Sequence, residues 1–275
     1  MSPADSGDDV VITRDLTVEG RHGPISARLY HPKKHEAGPG FLWLHGGGFI
    51  GGDLDMPEAD WVSRSLAGEG FTVVSGDYTK CLEGIHYPVP NDDVLDLWRW
   101  TAEHVVELGI DPAHLHLGGA SAGGALAASV AKRLRDGGGP DPRSVVLVYP
   151  VLHYDLVEPQ GELRDTLREH ADEVFAQDLT RSLSDNYLGG PTPRNDPYAF
   201  PANGELSGLP PTYVLNSEID SLRASGEAYA DGLWRAGVEA RVEYEAGTVH
   251  GHLNEPSNPF AVRSISRMAA WLRTH

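Results

Sequence analysis

Apolar and polar residues along the chain follow two different periods in turn. Strand-like apolar runs come first, and after them short apolar runs alternate with segments of helical spacing. In residues 91–108, for example, apolar side chains recur every three or four positions, which predicts a helix after the strand-like run 71–78. Strands that alternate with helices predict a mostly parallel sheet covered by helices on both faces. The first two runs, 9–18 and 25–30, are expected to pair antiparallel at one edge.

One long segment interrupts this alternation. About sixty residues separate the predicted strand that ends near residue 152 from the next, at 211, which is too much chain for a plain connection. The segment has a polar, helical stretch followed by a stretch rich in proline and glycine. We therefore expect one α/β domain over residues 1–275, with a small helical cap inserted at about 153–209. The other predicted strands are 41–45, 114–120, 144–152, 211–217 and 240–246, and the other predicted helices are 121–136, 222–236 and 259–273.

Composition and charge narrow the classes of function. With 22 basic and 40 acidic residues, the chain carries a net charge of −18, which disfavours nucleic acid and anionic membranes as partners. No window approaches the roughly 18 uninterrupted apolar residues that a membrane span needs. The first nine residues are polar and acidic, unlike a secretory leader, and Cys81 is the only cysteine. We therefore expect a cytoplasmic protein in which Cys81 is a buried hydrophobic residue rather than a nucleophile.

The pattern Gly119-x-Ser121-x-Gly123 lies between a predicted strand and an alanine-rich predicted helix. This is the position in which a nucleophile elbow presents a serine hydroxyl at the start of a helix. The glycines allow the strand and the helix to approach closely around the serine. A junction of small residues that merely packs closely has the same pattern, so the partners of the serine must decide between these interpretations.

A serine hydroxyl becomes a good nucleophile when a histidine accepts its proton and a carboxylate orients that histidine. In nucleophile-elbow proteins the chain order is serine, acid, histidine. Asp220 and His250 each follow a predicted strand, so both are expected at the same edge of the sheet as Ser121. Glu218 and His252 are their nearest competitors, and Glu218 is expected at the strand end. A metal site beginning at the two histidines lacks further carboxylate or cysteine ligands at suitable spacing.

Three consecutive glycines follow the apolar run 41–45, within the sequence HGGGF at 45–49. Acyl transfer turns a carbonyl oxygen into an anion, which needs preorganised N–H donors beside it. One donor is expected from Ala122, the residue after the serine, and the others from the loop after the third strand, where HGGG-type motifs lie. A flexible tether would be polar, whereas this run adjoins Trp43, Leu44 and Phe49, so the tether interpretation fails.

HGGGF followed by GASAGG, with an aspartate and a histidine later in that order, resembles the hormone-sensitive-lipase-like branch of the α/β-hydrolases, the bacterial family IV carboxylesterases. The likeness covers about residues 25–255 and includes the D-x-L-R sequence that begins at Asp220. It implies an enzyme that needs neither metal nor cofactor. It also implies Ser121 as nucleophile, Asp220 as acid, His250 as base, and the amides of Gly47, Gly48 and Ala122 as the oxyanion hole.

The chain departs from the family pattern in three places. The common Asp-Tyr-Arg-Leu-Ala-Pro-Glu stretch reads DYTKCLE at 77–83, so we expect a different local loop. The usual Asp-Glu pair after D-x-L-R is replaced by Ala224 and Ser225, which removes carboxylates near the acid. Only 44 residues precede the HGGG motif, whereas relatives often carry a further helical segment there, so we expect an incomplete cap and a more open pocket.

These observations predict a serine carboxylesterase for small esters with short acyl chains such as acetates. Two alternatives stay open. An amidase or peptidase of the same fold would use the same three residues, and a non-catalytic ligand-binding relative would be expected to have lost one of them. The apolar final helix suits either a homodimer contact or packing on its own sheet.

Overall fold

A computed structural model describes residues 11–33 and 37–275 of the chain. The predicted absence of a leader, and the first two residues of the predicted strand 9–18, lie outside the described residues. The strands found in these ranges all belong to one sheet, in the order β1-β2-β4-β3-β5-β6-β7-β8. They are β1 (Val11–Gly20), β2 (Gly23–Pro32), β3 (Gly38–Leu44), β4 (Thr72–Asp77), β5 (Ile110–Ala120), β6 (Val145–Val148), β7 (Thr212–Ile219) and β8 (Ala240–Val249).

The helices fill the crossovers between the parallel strands, as the alternating pattern predicts. None of those found in the described ranges has the length and apolar character that crossing a membrane requires. They are α1 (Asp60–Gly68), α2 (Val89–Glu103), α3 (Ala122–Gly137), α4 (Gly161–Glu169), α5 (Gln177–Leu188), α6 (Arg223–Arg235) and α7 (Pro259–Thr274), with a short 3₁₀ turn at His252–Asn254.

The sheet is antiparallel at one edge and parallel elsewhere. β1 pairs antiparallel with β2, and β2 pairs antiparallel with β4, whereas β4, β3, β5, β6, β7 and β8 run parallel. The predicted antiparallel edge is therefore confirmed. Because the carboxyl ends of parallel strands meet at one edge of a sheet, the residues that follow β3, β5, β7 and β8 lie near one another.

Both faces of the sheet are covered, which explains its continuous apolar runs. In β3, Leu42 and Leu44 pack into one cluster with side chains of α2 and α3. Phe41 and Trp43 point the other way, into a second cluster with side chains of α1 and α7. All four side chains are fully buried. A strand buried on both faces is a rigid support for the loop that follows it.

The predicted helix 91–108 is wrong in its length, because α2 ends at Glu103. Val105 and Leu108 continue the apolar spacing and are buried, but they lie in a turn rather than in the helix. Gly109, with φ of 68°, then redirects the chain into β5. An apolar side chain at helical spacing is thus buried equally well by a turn that packs on the same core.

The predicted strand 144–152 is also shorter than expected. β6 ends at Val148, and Tyr149, with φ of 37°, turns the chain out of the sheet. Residues 149–211, here called the β6–β7 segment, then contain α4 and α5 separated by a turn at 170–176. The polar helical stretch therefore forms two helices joined by a turn. Cys81 is buried, and burial raises the pKa of its thiol to about 12.

Candidate active site

Ser121 lies in the sharp turn between β5 and α3. Its backbone has φ of 51° and ψ of −116°, a conformation that non-glycine residues adopt only when the surrounding structure holds them there. A Cβ at Gly123 would overlap the carbonyl oxygens of Leu44 and His45, so the turn can pack against the end of β3 only with glycine at this position. The serine side chain is thereby held at the carboxyl edge of the sheet.

The structure brings Ser121, His250 and Asp220 together in one hydrogen-bonded chain. His250 Nε2 lies 3.0 Å from Ser121 Oγ, and His250 Nδ1 lies 2.7 Å from Asp220 Oδ2. Asp220 directly follows β7 and His250 directly follows β8, so the parallel pairing of these strands sets their separation. The second carboxylate oxygen of Asp220 accepts the Leu222 amide at 2.9 Å, which fixes the orientation of the acid. Asp220 is 1% exposed.

The electrostatics of His250 favour its protonated form. Burial lowers the pKa of the imidazole, but the negative charge of Asp220, its hydrogen bond and the charge of Glu58 outweigh burial and raise the pKa above its ordinary value. A base with a raised pKa accepts a proton more readily. The arrangement can therefore remove a proton from the serine hydroxyl and stabilise the imidazolium that results.

The two competing residues have other partners. His252 is buried between Ser217 and Ser264, with its ring nitrogens 2.9 and 2.8 Å from their hydroxyls. Burial lowers the pKa of His252 to about 3, so this ring is neutral. Glu218 accepts the backbone amide of Gly247 at 2.7 Å. In the described part of the chain, no three histidine, cysteine, aspartate or glutamate side chains are grouped as metal ligands.

The glycine loop after β3 lines the same cavity as Ser121 and carries backbone amides without an acceptor among the described residues. Gly47 and Gly48 have φ of 121° and 60°, and within residues 11–33 and 37–275 their N–H groups donate to no other residue. The carbonyl oxygen of Gly47 accepts from the amides of Ile50 and Gly51 at 3.1 and 2.9 Å, which closes a tight turn. Ala122 is the first residue of α3, so its amide has no acceptor within the helix. Amides without a protein acceptor are the kind of donor that an oxyanion requires.

A cavity of about 570 Å³ opens onto these groups. Ser121 and His250 lie in its wall together with the glycine loop, and the β6–β7 segment supplies an apolar side. Phe175 packs edge-on against the imidazole of His250, with the ring centroids 4.8 Å apart. Leu183 of α5 lies close above Gly48, where a Cβ would approach its side chain to 3.1 Å. The cavity in front of the serine is thus bordered by the glycine loop on one side and by α5 on the other.

Sequence reasoning missed one acidic residue of this cavity, Glu58. The side chain is 2% exposed and accepts hydrogen bonds from the Gly46 amide at 2.5 Å and from the Tyr149 hydroxyl at 2.6 Å. The sequence around it, MPEAD, has the polar character of a surface loop. The sequence does show an acidic residue a short distance after the HGGG motif. However, the pattern of residues around Glu58 does not indicate that its side chain is buried. Phe175 and Leu183 were missed as well, because their positions depend on how the β6–β7 segment folds back.

Comparison with known proteins identifies the family to which this fold belongs. A family model described as the alpha/beta hydrolase fold matches residues 41–254. The chain therefore belongs to the α/β-hydrolases, in the hormone-sensitive-lipase-like branch of bacterial carboxylesterases. This confirms the predicted fold class, the predicted family and the predicted class of enzyme, a carboxylic-ester hydrolase.

The names of individual relatives agree with the assignment of this chain to an esterase family. Esterase LipI of Mycobacterium tuberculosis is 34% identical over 245 residues, which cover 87% of this chain and 74% of the relative. Ethyl acetate hydrolase of Pseudomonas putida is 32% identical over 256 residues, covering 90% and 77%. The solved structure of an esterase from Pyrobaculum calidifontis superposes with a TM-score of 0.86 at 34% identity, covering 96% of this chain and 85% of the other.

Proposed function

We propose that this protein is a serine carboxylesterase that hydrolyses small esters with short acyl chains, of the acetyl-ester type. Ser121 is the nucleophile, His250 the general base and Asp220 the acid that orients it. The observation that carries the proposal is the unbroken chain from Asp220 Oδ2 through the imidazole to Ser121 Oγ, at 2.7 and 3.0 Å, at the wall of the cavity.

In the first half of the proposed reaction, His250 Nε2 takes the proton of Ser121 as the hydroxyl oxygen attacks the ester carbonyl carbon. The amides of Gly47, Gly48 and Ala122 donate to the resulting oxyanion. Because their positions are fixed before substrate arrives, no reorganisation is needed as the charge develops. The imidazolium then gives its proton to the departing alcohol, and the acyl group stays on Ser121.

In the second half, water replaces the alcohol. His250 takes a proton from the water as it attacks the acyl carbon, and the same amides hold the second oxyanion. Collapse of this intermediate returns the proton to Ser121 Oγ and releases the carboxylic acid. Asp220 remains ionised throughout, holding the Nδ1 proton of the imidazole.

The apolar character of the cavity supports a neutral, small ester as the substrate. Phe175, Leu179 and Leu183 line the cavity together with the glycine loop, and among the described residues the titratable side chains in its wall are Glu58 and His250. A negatively charged substrate would meet the carboxylate of Glu58. The ethyl acetate hydrolase among the relatives acts on an acetate ester by its name, which agrees with a short acyl group.

We also propose that residues 1–275 form a single α/β-hydrolase domain with residues 153–209 as its cap. Two observations support this. The inserted residues leave the sheet after β6 and return to it at β7, and α5 within them contributes Leu179 and Leu183 to the cavity wall. The α5 helix would then control which esters reach the serine.

Replacing Ser121 by alanine tests the proposal. With 4-nitrophenyl acetate as substrate, we expect Ser121→Ala to lower kcat by at least about 10⁴-fold, while circular dichroism and the melting temperature stay close to those of the parent. Ser266→Ala, which changes an exposed serine on α7, is the matched control and should retain full activity. Undiminished turnover in Ser121→Ala would overturn the assignment of the nucleophile.

Two further comparisons test the substrate class. A series of 4-nitrophenyl esters should give the highest kcat/KM at acetate or butyrate, and a maximum at ten carbons or more would contradict the short-chain assignment. Rates on a matched ester and anilide separate an esterase from an amidase or peptidase. We expect the ester to be strongly preferred, and equal rates would favour the amidase alternative.

A further inference from the structure

Glu58 is a buried acidic residue in the wall of the active-site cavity to which the proposed reaction gives no role. It precedes α1 and belongs to neither the glycine loop nor the loop that carries His250, yet it contacts both. A buried carboxylate is costly unless donors surround it. The groups that donate hydrogen bonds to Glu58 therefore indicate which parts of the site its carboxylate holds in place.

Three donors converge on the two oxygens of Glu58. Oε2 accepts the amide of Gly46 at 2.5 Å, and Oε1 accepts the hydroxyl of Tyr149 at 2.6 Å and the side-chain amide of Asn254 at 3.3 Å. Each partner brings a hydrogen to the side chain, and the ionised carboxylate, which only accepts, satisfies all of them. The backbone amide of Glu58 in turn donates to Asn254 Oδ1 at 3.2 Å.

The bond to Gly46 bears directly on the oxyanion donors. Gly46 precedes Gly47 and Gly48 in the chain, so fixing its peptide fixes the point from which their amides project. A Cβ at Gly46 would lie 2.7 Å from Glu58 Oε2 and 3.0 Å from Ser121 Cβ, so the carboxylate and the serine lie on the same side of this residue. A displacement of about 1 Å at such a site can cost about 100-fold in rate.

The remaining contacts reach the imidazole of His250. The ring centroids of Tyr149 and His250 lie 4.8 Å apart. The side-chain amide of Asn254 also donates to the carbonyl oxygen of Gly251, the residue after His250. In the part of the chain that the structure describes, the charged or titratable groups around His250 are Asp220, Glu58, Tyr149 and His252. His252 is neutral because burial holds its pKa at about 3, and burial raises the pKa of Tyr149 far above its ordinary value. Asp220 and Glu58 thus carry the negative charge that acts on His250.

We propose that Glu58 is a positioning residue for the reaction, an inference that rests on the proposed function: its carboxylate holds the Gly46 peptide and the Tyr149 ring, and its charge stabilises the imidazolium form of His250. A negative charge close to the developing oxyanion opposes it. In the same step, however, the imidazole of His250 becomes a positively charged imidazolium. A second carboxylate near this new positive charge is therefore favourable.

The test exchanges Glu58 for its neutral isostere. Glu58→Gln keeps the size of the side chain and an acceptor for Gly46, but it removes the charge. We expect kcat for 4-nitrophenyl acetate to fall about 10- to 100-fold, with KM within about threefold, since the loss is of transition-state stabilisation. We also expect the acidic limb of the kcat/KM profile to move to lower pH, because the pKa of His250 falls when the negative charge is removed.

Two other variants complete the design. Glu107→Gln removes the same charge from an exposed residue just before the opposite end of β5, and it should change neither kcat nor the acidic limb. Glu58→Asp keeps the charge but shortens the reach to Gly46, so it should lower kcat while leaving the acidic limb in place. The Gln and Asp variants therefore separate charge from position.

Several outcomes would overturn the inference. One is a Glu58→Gln protein with kcat within threefold of the parent. Another is a loss of kcat with an unmoved acidic limb, which a purely structural contact predicts. If Glu58→Gln does not fold, Tyr149→Phe removes one donor and keeps the ring. An unchanged kcat in that variant would then refute the inference. Failure of the proposed function itself is distinguishable, because Ser121→Ala would then retain turnover.

Discussion

Alanine at Gly47 provides the most direct test of the oxyanion loop. The residue has φ of 121°, a conformation that costs an L-residue about 1–3 kcal/mol. In addition, the new Cβ would lie 2.5 Å from the carbonyl carbon of Gly51 and closer still to its oxygen. Ordinary contacts between carbon atoms are about 3.5–4.0 Å, so the turn must open by about 1 Å or more.

That displacement falls on the amides proposed to hold the oxyanion. Losing one such donor costs about 100- to 1000-fold in kcat, equivalent to about 2.7–4 kcal/mol. We therefore expect Gly47→Ala to lower kcat for 4-nitrophenyl acetate by at least about 100-fold, with a smaller change in KM. Initial rates over a range of substrate concentrations, together with a thermal melt, measure both effects.

The matched control is Gly70→Ala, in the turn between α1 and β4. Gly70 has φ of 100°, but a Cβ there would meet no atom within 4 Å, so the substitution carries the conformational cost without the overlap. It should lower the melting temperature by several degrees and leave kcat unchanged. If Gly47→Ala retains kcat within about threefold of the parent, or if Gly70→Ala loses activity equally, the role given to this loop is refuted.

Three further predictions follow from individual contacts. Asp220→Asn should keep the fold and lower kcat by about 10⁴-fold, measured with 4-nitrophenyl acetate, since the imidazole loses the acceptor that fixes its tautomer. The kcat/KM of the parent should fall as the pH is lowered through the raised pKa of His250, because a proton then occupies the nitrogen that must accept from Ser121. An acidic limb below the ordinary pKa of imidazole would contradict this prediction. Lys132→Met should lower the free energy of unfolding in urea by about 1–3 kcal/mol and leave kcat unchanged, because Lys132 Nζ is buried and bonds two carbonyl oxygens of the β6–β7 segment.

The sequence was sufficient to locate the residues that follow strands. Asp220 and His250 were predicted because each comes directly after an apolar run, and parallel strands bring such residues to one edge. Ser121 was predicted from its glycines, whose absent side chains the packing of α3 against β3 requires. In these cases a local pattern and one topological rule determine where a side chain lies.

The missed features depend on contacts between residues far apart in the chain. Glu58 is buried because Gly46, Tyr149 and Asn254 surround it, and no periodicity in its own segment records those partners. Phe175 is 43% exposed and packs on His250 only because the β6–β7 segment folds back over the sheet. Helix ends were misjudged for a similar reason, since apolar spacing continues through the turn after α2.

The departures from the family pattern affect the charge around His250. At the departure formed by Ala224 and Ser225, the Ser225 hydroxyl lies 2.6 Å from His153 Nδ1, and burial lowers the pKa of His153, which favours a neutral pair. In the altered DYTKCLE loop, Lys80 Nζ donates to Asp77 Oδ1 at 2.5 Å and lies 4.2 Å from the centroid of the Tyr78 ring. The negative charge of Asp77 is thus paired with the positive charge of Lys80. Residues 224 and 225 carry no carboxylate, and the carboxylate of Asp77 is paired with Lys80. The protonation of His250 should therefore respond to its other acidic neighbours, Asp220 and Glu58. Removing the charge of Glu58 should therefore move the acidic limb of the pH profile, whereas removing that of Asp77 should not.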